Sequence, residues 1–157
     1  MFIRILLLTG SCLPLVAEIV DPTPRVCGGI HVGTAGLEIV GAVEWDLAGG
    51  LRQRLRPELL INDDSRPGIG FSYTFAIADG ALPRRQTLFI GPRVVLHNND
   101  EEDIRGEIGA VAFYRFLLGA KEDSPHSIDA IGALGYLDEK NDWDPAFTVG
   151  AAYGYQF

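Results

Sequence analysis

Charged side chains recur at every second position, or multiples of it, along much of this chain: Glu38, Glu44 and Asp46; then Arg52, Arg54, Arg56 and Glu58; then Arg105, Glu107 and Arg115, with Arg93 and Asp129 on strands of their own. Spacing by two puts side chains on one face of an extended segment. The planar guanidinium fork matches a carboxylate in two-point geometry, so arginines facing acids suit enclosed pairing. Two chemistries are open to such a set: an ion-pair network that fills an enclosed space, or a polar wall that passes ions.

Hydrolytic chemistry would need a histidine and a hydroxyl on one face, activated by a third group. His126 and Ser127 are adjacent and therefore point to opposite faces, His97 is followed by Asn98 and Asn99, and the nearest hydroxyl to His31 is Thr34. No catalytic residue is assigned. The acidic runs Asp100-Glu101-Glu102-Asp103 and Asp138, Glu139, Asp142 and Asp144 could offer oxygen ligands to calcium or magnesium, yet no glycine stands where a compact calcium loop needs one. They read as solvated acidic rims. No metal or cofactor is assigned.

The elements that position these groups show period-two alternation through most of the chain. Leu37, Ile39, Gly41, Val43, Trp45 and Leu47 oppose Glu38, Val40, Ala42, Glu44 and Asp46, and Ala48-Gly49-Gly50 predicts a turn. Further strands are expected at 51–61, 69–77, 88–96, 104–116, 128–136 and 147–157. That makes seven. A shorter, Gly-rich eighth, Val26 to Gly33, either stands alone or continues into the next as one bent strand. Loops are expected around Asn62 to Pro67, Asp79-Gly80, His97 to Asp103, Lys121 to Pro125 and Asp138 to Asp144.

Met1 to Ala17 carries one positive charge and then an apolar run, the pattern of a cleaved secretory signal; Cys12 lacks the leucine-led context of a lipidation site. Its removal takes Arg4 and no acid, shifting the net charge from −8 to −9, so nucleic acid is excluded as a partner. Cys27 is then the one remaining cysteine, which forbids an internal disulfide. The expected organisation is signal 1–17, a loose segment 18–25 with Pro22 and Pro24, and one β domain over 26–157.

Alternation alone fits either a soluble lipocalin-like barrel with its apolar face inward or a membrane barrel with that face outward. Three features favour the second. Lysine occurs only at Lys121 and Lys140, both in expected loops; the polar faces of 70–78 and 148–156 are lined by small residues; and Trp45, Tyr73, Tyr114, Tyr136, Trp143, Tyr153 and Tyr155 gather toward strand ends, where polar-tipped rings settle at a lipid interface. The final strand has Phe147, Val149, Ala151, Tyr153, Tyr155 and Phe157 on one face.

With that ending, the chain resembles small bacterial outer-membrane β-barrels of the OmpA/OmpX type over Val26 to Phe157. The resemblance implies an all-β, antiparallel up-and-down transmembrane barrel of about eight strands in the cell outer membrane. It further implies contact with outer-membrane lipids and lipopolysaccharide, and recognition of Val149, Ala151, Tyr153, Tyr155 and Phe157 by the barrel-assembly machinery. An eight-stranded barrel is just wide enough for side chains to fill it. The expected role is therefore structural or surface-interacting, without enzymatic activity, and the charged set forms a lumenal plug. A narrow channel for small solutes, a lipid A acyl hydrolase or transferase, and a soluble secreted ligand-binding barrel stand as alternatives.

Overall fold

The computed structural model describes residues 4–7, 15–18, 24–47, 52–77, 85–98, 104–119, 124–139 and 142–157. β1 (Arg4–Leu7) and β2 (Leu15–Glu18) pair antiparallel as a separate two-stranded sheet. Eight longer strands follow: β3 (Arg25–Gly33), β4 (Gly36–Leu47), β5 (Gln53–Asn62), β6 (Pro67–Ala76), β7 (Gln86–Asn98), β8 (Ile104–Leu117), β9 (His126–Glu139) and β10 (Asp142–Gln156). Each of these pairs antiparallel with its sequence neighbour, and β10 pairs with β3 to close a barrel. The expected turns at 48–50 and 79–80, the acidic run 100–103, and Cys12, Lys121 and Lys140 lie outside the described residues.

Val26 to Gly33 belongs to a separate strand, joined to β4 through Thr34-Ala35. Gly29 and Gly33 serve close strand approach: a Cβ would lie 2.3 Å from the Ala151 carbonyl oxygen of β10 at Gly29 and 2.1 Å from that of Phe147 at Gly33. Proline shapes two other ladders. Pairing of β4 with β5 skips from Ala42↔Glu58 to Trp45↔Leu55 around Pro57. The β6–β7 ladder likewise skips from Ser72↔Arg93 to Phe75↔Ile90 around Pro92. The register is kept in both, because proline lacks only the donor N–H and leaves the extended path intact.

The faces are those of an inverted protein. Outward lie Ile30, Ile39, Leu59, Ile69, Val94, Ile108, Leu134, Phe147 and Val149, all exposed, while Glu38, Glu44, Arg56, Glu58, Arg93, Arg115 and Asp129 are buried inside. The interior also holds apolar side chains. Phe89, Val111, Phe113 and Ile131 pack with Ala76, Ala133 and Ala152, and Val40, Leu60 and Val95 form a second cluster. Leu47 and Leu55, read as part of the outer face, are buried against each other and against Tyr73.

Aromatic side chains ring the outer surface at the end where Arg25 meets Gln156, termed here the C-terminal end. Tyr73 donates to Gln53 Oε1 at 2.5 Å and stacks edge-on with Phe75. Two strands further round, on β8, Tyr114 donates to Gln86 and meets Phe116 edge-on. His126 lies against Tyr153 and Tyr155, and Tyr155 against Phe157. Side-chain glutamine oxygens thus anchor the tyrosine hydroxyls at the level where apolar surface ends.

Candidate functional site

The inward face of β4 brings Glu38, Glu44 and Asp46 into the lumen, β5 brings Arg54, Arg56 and Glu58, β7 brings Arg93, β8 brings Glu107 and Arg115, and β9 brings Asp129. Their contacts make one continuous chain. Asp46 accepts from Arg54 at 3.0–3.1 Å. Arg54 lies 3.7 Å from Glu44, which binds Arg56 at 2.5 Å and Arg115 at 2.7 Å. Arg115 also grips Asp129 through two nitrogens, and Arg56 Nη1 lies 3.6 Å from the same carboxylate. Arg56 Nε donates to Glu58 at 2.9 Å, and Glu58 accepts from Arg93 at 3.1 Å. Arg93 approaches Glu107 at 3.4 Å, and His97 bridges Glu107 at 3.3 Å and Glu38 at 3.2 Å.

The middle of this chain is dry: Arg56, Glu44, Glu58 and Asp129 are each at most 3% exposed. Charges so buried are tolerated only when paired, since desolvation of an isolated ion costs several kcal/mol or more. Aromatic rings complete the enclosure, with the Arg54 guanidinium 3.9 Å from the Phe89 ring centroid and that of Arg56 4.7 Å from Phe113. Cys27, Glu44 and Asp129 have ligand atoms close enough together to hold a metal ion. Both carboxylates are already bound by Arg56 and Arg115, so the set reads as part of the ion-pair network.

Two of the twelve lumenal charges read from the sequence lie toward the ends of the barrel. Arg52 is exposed at the C-terminal end, and Arg105 is half-buried at the opposite end, beside a pocket that Asp63, Asp64 and Arg66 also line. Sequence reasoning missed three members of the interior. Arg25 at the start of β3 is buried and donates to Pro125 O, Ser127 Oγ and Gln156 Oε1. His97, read from its asparagine neighbours, is the bridge between Glu38 and Glu107. His31 is fully buried, and among the described residues neither of its ring nitrogens has a hydrogen-bond partner. Parity was the available signal for all three, because each shares the inward face of its strand.

Of the hydroxyl candidates, Ser127 points inward to Arg25 while His126 points outward to Tyr153, so the two occupy opposite faces. Thr34 Oγ1 accepts from the Phe147 backbone N–H at 3.0 Å, tying the β3–β4 turn to β10. Val149, Ala151, Tyr153, Tyr155 and Phe157, expected from the sequence as an assembly signal, all lie exposed on the outer face or its rim.

These features define a closed, eight-stranded, antiparallel up-and-down barrel with an apolar exterior and an ion-paired interior. No protein-family model matches the chain, and no curated protein matches it. Solved structures do. One reported under "De novo design of transmembrane beta-barrels" is similar at a TM-score of 0.52 with 14% identity, covering 84% of this chain and 94% of that one. The solution structure of the designed barrel TMB2.3 gives 0.50 with 13% identity, covering 86% and 94%. The crystal structure of Neisserial surface protein A (NspA) gives 0.48 with 10% identity, covering 86% and 95%. At such identities the likeness concerns the fold.

Proposed function

We propose that the protein is an integral outer-membrane β-barrel with a side-chain-filled lumen, serving a structural or surface-interaction role rather than catalysis. The observation that carries the reading is the inversion of its faces. Branched aliphatic and aromatic side chains are exposed all around the barrel while buried charges cross its centre, an arrangement stable where the surrounding medium is hydrocarbon. The aromatic ring at the C-terminal end fits an interface between that hydrocarbon and water. Likeness of fold to designed transmembrane barrels supports the same reading.

In this reading the outer face contacts lipid and lipopolysaccharide, the C-terminal end faces the periplasm, residues 1–17 direct export, and the assembly machinery reads the residues from Val149 to Phe157. The continuous pairing from Asp46 to Glu38 supports a closed lumen over a channel. Two measurements test this. Unboiled outer-membrane material should migrate differently from boiled material on a gel, and a soluble product would refute the membrane assignment. Purified barrel in planar bilayers should give no ion-selective steps, and reproducible conductance would replace the plug with the channel alternative.

A further inference from the structure

Among the described residues, the C-terminal end of the barrel encloses a cavity. A vestibule of about 610 Å³ opens there, lined by Arg25, Arg52, Arg54 and Arg115, with Asp46 as its one side-chain carboxylate among the described lining residues. Arg54 and Arg115 share the carboxylates of Asp46, Glu44 and Asp129, whereas among the described residues no carboxylate pairs with Arg25.

The pairing within the vestibule is incomplete. Among the described residues, all three of Arg25's hydrogen-bond acceptors are uncharged: a carbonyl, a hydroxyl and an amide oxygen. Among the described residues, Nη1 of Arg115, 3% exposed, has no hydrogen-bond partner, and Nη1 of Arg54, 6% exposed, has only the 3.7 Å ion-pair contact with Glu44. Buried donors in that state are rare, because an unmet donor costs its full desolvation. The Phe89 ring beneath Arg54 lowers the local polarity on one side, which strengthens attraction for an anion entering from the mouth.

We propose that this vestibule is a binding site for a phosphate group. Guanidinium forks match phosphate oxygens in two-point geometry, and the volume falls in the range of small-molecule sites, roughly 300–1,000 Å³. The phosphate has two possible carriers. Free phosphate or a small phosphate ester can enter along the barrel axis. A phospholipid headgroup can reach in from the side, because Tyr155 and Phe157 of the outer aromatic ring also line the cavity. The site goes beyond the structural role proposed above and requires only the barrel geometry.

The test uses the folded barrel in maltoside micelles, which contain no phosphate, with arginine side-chain Nε–Hε resonances followed by NMR. Inorganic phosphate, titrated against chloride at constant ionic strength, should give saturable shifts at Arg25, Arg54 and Arg115. Arg52 is exposed, so Arg52→Glu should leave the fold intact and weaken phosphate binding by about fivefold or more, while Asp46→Asn should tighten it. Doping the micelles with phosphatidylglycerol identifies the carrier: a headgroup in the site produces the same shifts and blocks added phosphate, whereas a site for free phosphate stays open. Non-saturable shifts, or equal affinity in wild type and Arg52→Glu while both retain heat-modifiable mobility, would overturn the proposal without touching the membrane assignment.

Discussion

Replacing Glu44 by glutamine probes the ion-paired lumen at its most connected point. Glu44 is 3% exposed; its Oε1 accepts from Arg56 at 2.5 Å and its Oε2 from Arg115 at 2.7 Å, with Arg54 a further 3.7 Å away. A glutamine has one carbonyl oxygen. Whichever way its amide is turned, an NH2 group faces one of the two arginines, donor against donor. The substitution therefore removes one of two charge-assisted hydrogen bonds and takes a negative charge from the point where Arg54, Arg56 and Arg115 converge, leaving Arg56 to Glu58 and Arg115 to Asp129. Breaking a buried pair in this way costs about 3–5 kcal/mol, well above the ~0.5–1.5 kcal/mol of an ordinary hydrogen bond.

The readout is equilibrium urea unfolding from lipid vesicles, followed by emission of Trp45 and Trp143. The charge-balanced double variant Glu44→Gln with Arg115→Met supplies the control. Asp129 keeps Arg56 at 3.6 Å, and the single acceptor of the new glutamine can turn to Arg56. The double variant should be less damaging than the sum of the two single changes by about 1–3 kcal/mol. A loss below about 1 kcal/mol for Glu44→Gln, or simple additivity in the double variant, would refute the view of a dry, mutually dependent network.

Other expectations are local. Phe157, exposed at the rim beside Tyr155, should be needed for assembly, so Phe157→Asn should reduce heat-modifiable barrel in the outer membrane; wild-type amounts would count against the assembly signal. At Gly91 a Cβ would lie 2.0 Å from the Tyr73 carbonyl oxygen, next to the rung that Pro92 already interrupts. Gly91→Ala should force β6 and β7 apart and lower stability by about 1–3 kcal/mol in the same urea assay; an unchanged midpoint would show that the strands yield freely. Cys27 is 2% exposed inside the barrel, so with Cys12 changed to serine it should resist maleimide in the folded state and react in urea, and rapid labelling of folded protein would indicate an open lumen.

Strand positions and faces were legible because a two-residue period leaves little freedom once one face is apolar. Glu38, Glu44, Arg54, Arg56 and Glu58 could be placed indoors from parity alone, and the antiparallel order followed from short connections. What parity cannot state is level along the axis, which depends on the stagger between neighbouring strands. Arg52 and Arg105 share the inward parity of Arg54 and Glu107, yet they sit at opposite ends of the barrel. His97 was obscured for a different reason: its asparagine neighbours suggested a loop, although its ring lies between Glu38 and Glu107. The apolar interior around Phe89 and Phe113 was present in the alternation as inward-facing positions, but their meeting one another, and meeting Arg54 and Arg56, depends on curvature.

The seam between β3 and β10 sets the order in which the molecule can be made. Arg25 reaches Pro125, Ser127 and Gln156, partners 100, 102 and 131 positions along the chain. Hairpins such as β3–β4 form from neighbours, whereas this clasp waits for the final strand. Until then β3 presents an unpaired edge, and the growing sheet presents another, each able to recruit a foreign strand. High contact order makes such closure slow. A chain built this way commits to its fold in one late event at the seam, and before that event it depends on whatever shields its two edges.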